Sequence, residues 1–360
     1  TGYTPDPVAF ALDFFGLDLD VYWYGVIITA GIALGAYVVA SLAQERAVRT
    51  WLAEVPVAVR RQPLSRLSLS EDVEATLTGH GMTTVGELLL WWGAEPERLG
   101  LKAAAREQLA ERMLAHTSIR PDWVHRPPWY QWSTNHVWSG LFWSLLLAVI
   151  GARLYHVLTP SPSNMLTTED YFANPLQLIN VRRGGLGIYG GIAGGALGLA
   201  LYALRNRISA LRWADLAVIG LSLGQFVGRW GNFVNQELYG RPTDLPWAVT
   251  IEQPLPGSGY EAFSRFHPAF LYESLWNLGV FLGLWFLNRR YRDQLFPGEL
   301  MAAYLVAYAA GRMLLETVRL DSNMVTVAGL DVALPTATLV SLAVALVMIL
   351  WVVFRRVRSR

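Results

Sequence analysis

The chain has 360 residues, of which 53% are hydrophobic and 16% charged, and its mean hydropathy is +0.30. This composition argues against an ordinary cytosolic enzyme. The formal charge of +1 shows no overall basic excess of the kind that nucleic-acid binding requires. The absence of cysteine excludes disulfides, thiolate metal sites and a cysteine nucleophile. Any reacting thiol must therefore belong to a partner. We also expect no metal and no cofactor.

Long apolar stretches predict that the chain crosses a membrane several times. A spanning helix needs about 20 mostly apolar residues. Roughly seven stretches qualify, at 22–43, 136–158, 185–204, 213–235, 268–288, 298–318 and 335–354. We therefore expect an all-α polytopic membrane protein. The residues before the first stretch have no basic segment and no small-residue cleavage site, so we do not expect a removable signal peptide there.

The placement of arginine predicts the orientation in the membrane. Five arginines lie at the ends assigned to the outside: Arg182, Arg183, Arg241, Arg265 and Arg319. Twelve lie at the opposite ends: Arg46, Arg49, Arg205, Arg207, Arg212, Arg289, Arg290, Arg292, Arg355, Arg356, Arg358 and Arg360. Because basic loops resist translocation, the N-terminus is expected outside and the C-terminus in the cytoplasm. Outer loops at 159–183, 236–267 and 319–334 would then carry any extracytoplasmic chemistry.

A polar stretch at 44–126 separates an N-terminal part, 1–43, from the remaining six predicted spans in 127–360. Its glycines, Gly79, Gly81, Gly93 and Gly100, punctuate four short predicted helices. Residues 67–116 resemble the helix-hairpin-helix C-terminal domain of the bacterial RNA polymerase α subunit. However, 44–126 carries eleven basic and eleven acidic residues, whereas DNA binding needs a basic surface. We therefore expect a cytoplasmic insertion that contacts a protein or is purely structural, and no nucleic-acid partner.

Ionisable and amide side chains occur at the outer ends of three predicted spans. Burying such groups at membrane depth is costly, so each is a candidate for a functional role. The three segments are 228–247, with Arg229, Asn232, Asn235 and Glu237; 267–273, with His267, Tyr272 and Glu273; and 308–321, with Arg312, Glu316 and Arg319 spaced i, i+4 and i+7 on one predicted helical face.

Arg229 and Arg312 suit a phosphate-bearing lipid headgroup, because a guanidinium binds phosphate oxygens in pairs and stays charged. A purely structural interpretation also fits these residues. Arg312 and Glu316 would then neutralise each other, and Asn232 and Asn235 would join helices through amide hydrogen bonds.

The stretch 183–198 contains eight glycines. Small residues four apart, such as Gly187 with Gly191 and Gly190 with Gly194, let helices approach closely, and we expect most of these glycines to serve packing. The same lack of side chains leaves room for an acyl chain or exposes backbone N–H groups to an anion. Tyr189 places a polar hydroxyl among these small residues and is expected to point towards that room.

The segment GRWGNFVNQELYG, 228–240, resembles the signature of the prolipoprotein diacylglyceryl transferase family. Further segments similar to that family occur around it, and together they cover essentially the whole chain outside the insertion: WYG (23–25), GGLGIYGG (184–191), HPAFLYE (267–273) and GRMLLETVRLD (311–321).

The resemblance implies a multi-pass enzyme of the bacterial inner membrane. Such an enzyme moves the diacylglyceryl group of phosphatidylglycerol to the thiol of a lipobox cysteine in a prolipoprotein signal peptide, and glycerol phosphate is released. Carried over by motif, Arg229 and Arg312 are the essential arginines. The substrate-binding set is Tyr24, Asn232, Asn235, Gly240, Glu316 and Arg319. Tyr189 stands where the family often has a histidine implicated in proton handling.

The thiol proton needs an acceptor, and four side chains are candidates: Glu237, Glu316, Tyr189 and His267. Histidine is the residue best suited to this task at neutral pH, although His267 precedes a proline at a helix start and is about equally suited to capping. Two other functions remain open. One is a catalytically weak homologue that acts as a lipid-binding scaffold subunit, recruited through the insertion. The other, a transporter, is disfavoured because the buried charges lie on one membrane side.

Overall fold

The computed structural model describes residues 6–14, 17–160, 167–179, 185–254, 256–320, 324–326 and 333–359. Most of these residues are helical, which confirms the expected all-α class. The chain forms two compact units. Unit 1 contains Thr1–Val39 and Leu211–Arg360, and unit 2 contains Ala40–Ala210. Of the predicted site residues, all but Tyr189 belong to unit 1.

Both units consist mainly of helices. The α-helices of the described residues are α1 (Trp23–Glu54), α2 (Val57–Arg60), α3 (Glu71–Gly79), α4 (Val85–Ala94), α5 (Ala103–Ala115), α6 (Pro121–His125), α7 (Asn135–Leu158), α8 (Thr168–Ala173), α9 (Pro175–Ile179), α10 (Ile188–Arg205), α11 (Ala210–Val234), α12 (Ala269–Tyr291), α13 (Glu299–Glu316) and α14 (Thr336–Arg358). Short 3₁₀ helices lie at Leu64–Leu67, Pro96–Leu99 and Pro128–Trp132.

Strands form short antiparallel pairs. They are β1 (Val8–Phe14) with β2 (Leu17–Tyr22), β3 (Val249–Thr250) with β4 (Arg265–Phe266), and β5 (Met324–Thr326) with β6 (Ala333–Pro335). The first pair lies immediately before α1, in a segment for which no secondary structure was predicted from the sequence.

Six helices in the described part of the chain are long and apolar enough to cross a membrane: α1, α7, α10, α11, α12 and α14. The seventh predicted span, 298–318, is the shorter helix α13. It differs from the others because its 18 residues include the charged side chains of Glu299, Arg312 and Glu316. Helix α1 also continues to Glu54, past the expected end of the first span at residue 43.

In unit 1, α1 and α11 cross at glycines. A Cβ atom on Gly35 would lie 2.5 Å from the Gly220 carbonyl oxygen, so a side chain at either position would force the helices apart. Helix α13 packs against both α12 and α14. Its start is fixed by Asp215 of α11, whose carboxylate accepts hydrogen bonds from the Gly298 and Met301 amides at 2.7 and 2.9 Å. These contacts set the positions of the helices that carry the arginines.

In unit 2, the predicted glycine packing is confirmed. Gly190, Gly194 and Gly198 lie one turn apart on α10 and face the backbone of α7. A Cβ atom on Gly198 would lie 2.7 Å from the Trp143 carbonyl oxygen. The contact between α7 and α10 is the most extensive pairing of two elements among the described residues. Glycine is therefore needed for close helix approach.

The insertion is a small helical core that includes residues beyond its predicted end at 126. Trp129 is fully buried, and its Nε1 donates to the Leu89 carbonyl oxygen at 3.0 Å. Gly93 provides the space for this indole. Arg126 donates to the carbonyl oxygen of Arg207, just after α10, at 2.6 Å. The insertion is thus held against the end of a predicted span.

Candidate active site

The end of α11 positions three predicted site residues. After Val234 the chain turns back, and Gln236 and Leu238 both have positive φ, a conformation that few non-glycine residues adopt. The turn brings the Glu237 carboxylate back to Asn232, whose Nδ2 donates to Glu237 Oε1 at 2.7 Å. Asn232 Oδ1 in turn accepts from Arg229 Nη1 at 3.4 Å. Arg229, Asn232 and Glu237 therefore form one hydrogen-bonded chain.

Glu273 joins this chain to Arg319, which follows α13. The residue lies near the start of α12 and is 5% exposed. Its Oε2 forms a short ion pair with Arg229 Nη2. Its Oε1 lies 3.3 Å from Arg319 Nη1. A single buried carboxylate is thus shared by two guanidinium groups that lie 90 positions apart in the sequence.

Arg312 has a carboxylate partner of its own. Its Nη2 lies 3.1 Å from Glu316 Oε2, so the pairing that the structural interpretation expected is present. Among the described residues, however, Glu316 Oε2 is buried and has no hydrogen-bond partner, so this contact is an ion pair without hydrogen-bond geometry. Gly311, the preceding residue, fits against the ring of Trp276 on α12, where a Cβ atom would lie 2.5 Å from Trp276 Cδ1. The residue before Arg312 therefore packs against α12 at Trp276, three positions after Glu273.

Antiparallel backbone pairing, called the small sheet below, joins the segments that follow α11 and α13 to the segment that precedes α12. The Gly240 amide donates to the His267 carbonyl oxygen at 2.9 Å, and the Arg241 amide donates to the Val318 carbonyl oxygen at 2.8 Å. Residues 240–242 thus pair with β4 on one side and with Arg319 on the other. Arg319 was expected on the helical face of Arg312 and Glu316. That expectation is wrong, because α13 ends at Glu316 and Arg319 enters the sheet.

Gly240 is required by this sheet. A Cβ atom there would lie 2.8 Å from both His267 Cβ and the Val318 carbonyl oxygen. We expect Gly240→Ala to separate the strands and lower the rate of the reaction catalysed at this site by roughly tenfold or more, because active-site geometry tolerates little displacement. Initial rates and thermal unfolding of the purified variant check this. Gly279→Ala on α12, where no atom lies within 4 Å of the added Cβ, is the matched control. A Gly240→Ala variant as active as the control would contradict the assignment.

His267 does not cap α12, because the residue before that helix is Pro268. Its Nδ1 lies 3.1 Å from Tyr272 Oη, and Trp247 Nε1 donates to the same hydroxyl at 2.8 Å. The imidazole therefore belongs to a polar group of three side chains at the start of α12.

The remaining predicted residues have different surroundings. The Tyr24 ring packs against Gly231, where a Cβ atom would lie 2.9 Å from Tyr24 Cδ2. Asn235 is exposed, and Asn232 forms its hydrogen bonds within its own segment, so the expected joining of helices by these amides is not observed among the contacts described. Tyr189 belongs to unit 2. It is 63% exposed, and its ring centroid lies 5.8 Å from that of Tyr155. Arg182 and Arg183 lie outside the described residues.

Sequence reasoning missed several polar residues. Glu273 was noted within its motif without a role, and only its two partners reveal one. Tyr304 of α13 donates to Gln225 Oε1 of α11 at 3.0 Å. In unit 2, the buried Arg153 donates to the carbonyl oxygens of Leu178 at 2.8 Å and Gly185 at 2.9 Å, and so holds the chain just before α10. A charged residue inside the apolar run of α7 was an available signal for Arg153.

The arginines of this cluster differ in exposure and in the carboxylates they contact. Arg229, Arg312 and Arg319 face two buried carboxylates, those of Glu273 and Glu316, while Glu237 is exposed. The side chains of Arg229 and Arg312 are 24% and 25% exposed, whereas that of Arg319 is 9% exposed. Each guanidinium has five N–H donors, more than these contacts use. The arrangement can therefore accept an anionic group at Arg229 and Arg312.

Comparison with known proteins gives a specific match. Residues 113–354 match the family model described as prolipoprotein diacylglyceryl transferase. Similar proteins include the phosphatidylglycerol–prolipoprotein diacylglyceryl transferases of Gloeobacter violaceus and Chloroflexus aggregans. The first is 44% identical over 202 residues, which cover 56% of this chain and 70% of the relative. The second is 40% identical over 202 residues, covering 52% and 64%.

The corresponding enzyme of Frankia alni is 43% identical over 187 residues, which cover 50% of this chain and 46% of the relative. The chain therefore spans between about half and 70% of the length of these curated relatives.

Proposed function

The chain belongs to the prolipoprotein diacylglyceryl transferase family, and we propose that it transfers the diacylglyceryl group of phosphatidylglycerol to the lipobox cysteine thiol of a prolipoprotein. The relatives' names state a phosphatidylglycerol–prolipoprotein diacylglyceryl transferase, and the lipobox cysteine thiol as acceptor is what the family resemblance implies. The observation that carries the proposal is the partial exposure of the Arg229 and Arg312 side chains, which are 24% and 25% exposed while each also contacts a buried carboxylate. An anionic phosphate is the ligand that a guanidinium group favours.

The reaction forms one bond and breaks another. The thiol sulfur attacks the glycerol carbon that carries the phosphate, the C–O bond to phosphate breaks, and glycerol phosphate leaves with the bonding electron pair. Negative charge therefore grows on the phosphate oxygens. In our proposal Arg229 and Arg312 hold these oxygens and stabilise that charge, which is where fixed donors lower a barrier most.

The thiol proton passes to a base, and the contacts favour Glu237 among the four candidates. Glu237 is exposed and is joined to Arg229 through Asn232. Glu316, in contrast, is buried beside Arg312, and the ring of His267 contacts Tyr272. We therefore propose Glu237 as the proton acceptor. Tyr24, whose ring supports Gly231, and Asn235 on the exposed turn are proposed to contact the substrates.

A transfer assay tests the function. The purified full chain is incubated with phosphatidylglycerol and a lipobox peptide, and the lipidated peptide is identified by mass. We expect transfer with phosphatidylglycerol and none to a peptide whose cysteine is replaced by serine, because an alcohol is a weaker nucleophile than a thiolate. Absence of transfer by a folded protein that still binds the lipid would instead support the scaffold function.

The orientation follows from the arginine distribution, and we propose that the N-terminus is outside and the C-terminus in the cytoplasm of the bacterial inner membrane. The insertion would then be cytoplasmic. Arg126 joins it to the end of α10 through hydrogen bonds to the Asn206 and Arg207 carbonyl oxygens. We propose that the insertion contacts a protein partner, which crosslinking in cells would detect and which removal of the insertion would abolish.

A further inference from the structure

The shared carboxylate of Glu273 has two partners in unequal surroundings. Arg229, on one oxygen, has a side chain that is 24% exposed. Arg319, on the other oxygen, has a side chain that is 9% exposed. The backbone of Arg319 is also fixed, because it pairs with Gly240 and its carbonyl oxygen accepts from Arg241 Nε at 3.4 Å. Arg229 is therefore the more exposed of the two partners, and Arg319 is the one whose backbone is fixed.

The position of Glu273 raises a difficulty for phosphate binding. If Arg229 turns to a phosphate, it gives up its contact with a carboxylate that is 5% exposed. A buried carboxylate without a counter-charge is strongly unfavourable, and this penalty would be subtracted from the affinity for the lipid. A second guanidinium on the other carboxylate oxygen removes most of the penalty, because the negative charge stays compensated.

We propose that Arg319 is a positioning residue that keeps Glu273 compensated while Arg229 exchanges this carboxylate for the phosphate of the lipid. The inference rests on the proposed function and deepens it. Arg319 does not contact the lipid in this scheme. Its contribution is to lower the free-energy cost of releasing Arg229 from Glu273. In this way Arg319 raises the affinity of the site for an anionic headgroup.

The test compares variants of the full chain in nanodiscs that contain phosphatidylglycerol. In Arg319→Gln, Glu273 retains only Arg229, so releasing Arg229 leaves the carboxylate unpaired. We expect the KM for phosphatidylglycerol to rise by about tenfold, with a smaller change in kcat. In the double variant Arg319→Gln/Glu273→Gln the carboxylate that retains Arg229 is gone. We expect this variant to recover most of the lost affinity.

Two further variants separate positioning from folding. Arg319→Lys keeps a positive charge beside Glu273 and should show a smaller rise in KM than Arg319→Gln. Arg356→Gln removes an arginine from a different buried carboxylate, that of Glu299, to which Arg356 Nε donates at 2.7 Å. It is the matched control and should lower the melting temperature without raising the KM for the lipid. A purely structural role of Arg319 predicts that its variants behave like this control.

Lipid binding is measured as well, by displacement of a fluorescent phosphatidylglycerol, so that the outcome does not depend on transfer. Wild type that binds the lipid but transfers nothing would contradict the proposed function and leave the binding comparison intact. An unchanged lipid affinity in Arg319→Gln, or a double variant that binds no better than this single one, would overturn the positioning role. If Arg319→Gln does not fold, the lipid affinities of Arg319→Lys and of the double variant are compared with that of wild type instead. An unchanged affinity in Arg319→Lys, or a double variant that binds no better than Arg319→Lys, would then overturn the positioning role.

Discussion

Replacing Arg312 with glutamine is expected to lower the rate of diacylglyceryl transfer by roughly 100-fold or more, the loss typical of removing one donor that stabilises transition-state charge. The variant should also be less stable, by up to about 3 kcal/mol, because Glu316 loses its counter-charge in a buried position. Initial rates with a lipobox peptide measure the first effect, and thermal unfolding measures the second.

The double variant Arg312→Gln/Glu316→Gln separates these two effects. It removes the unpaired carboxylate together with the guanidinium, so we expect the melting temperature to return close to that of wild type while transfer stays low. Recovery of transfer in the double variant would show that Arg312 only neutralises Glu316. The structural interpretation of this pair would then be correct and the phosphate-binding role wrong.

Replacing Arg229 with glutamine is expected to cause a loss of transfer of similar size, roughly 100-fold or more, with little change in stability. The stability is retained because Glu273 keeps Arg319 on its other oxygen. Arg229→Lys should remain strongly impaired, since an ammonium keeps the charge but lacks the planar pair of donors that matches a phosphate. Rates and melting temperatures of both variants are measured side by side with wild type.

Arg265→Gln is the matched control for Arg229. Arg265 is exposed in the segment between α11 and α12, where its Nη2 donates to the Leu245 carbonyl oxygen at 2.9 Å. We expect this variant to transfer at nearly the wild-type rate. If Arg229→Gln retained more than about a tenth of the wild-type rate, the developing charge would have to be stabilised elsewhere.

The sequence predicted the features that depend on local pattern. Long apolar runs identified six of the helices as candidate membrane spans, because their length and hydropathy are properties of contiguous residues. The glycines four apart on α10 identified a close helix contact for the same reason. The helix α13 was also located, although its charged residues make it less apolar than the other six.

The identity of the site residues came from motifs, whereas their partners did not. Arg229, Asn232 and Glu237 are near in sequence, yet the turn that joins them uses positive φ at Gln236 and Leu238, which carry no glycine signal. Arg319 was expected on the face of α13. That expectation assumed that the helix continues to residue 319. The helix instead ends at Glu316, and Arg319 pairs with Gly240 in an antiparallel bridge.

By itself, then, the sequence determined a polytopic helical protein and which polar residues lie at the ends of its predicted spans, because hydropathy and motifs are properties of contiguous residues. Only the tertiary structure decided that Glu273 takes both Arg229 and Arg319, and that Arg312 takes Glu316. The partner of a buried charge depends on which segments come together in the folded structure. Arg229 and Arg319 are 90 positions apart, so no local pattern in the sequence indicates that they contact the same carboxylate.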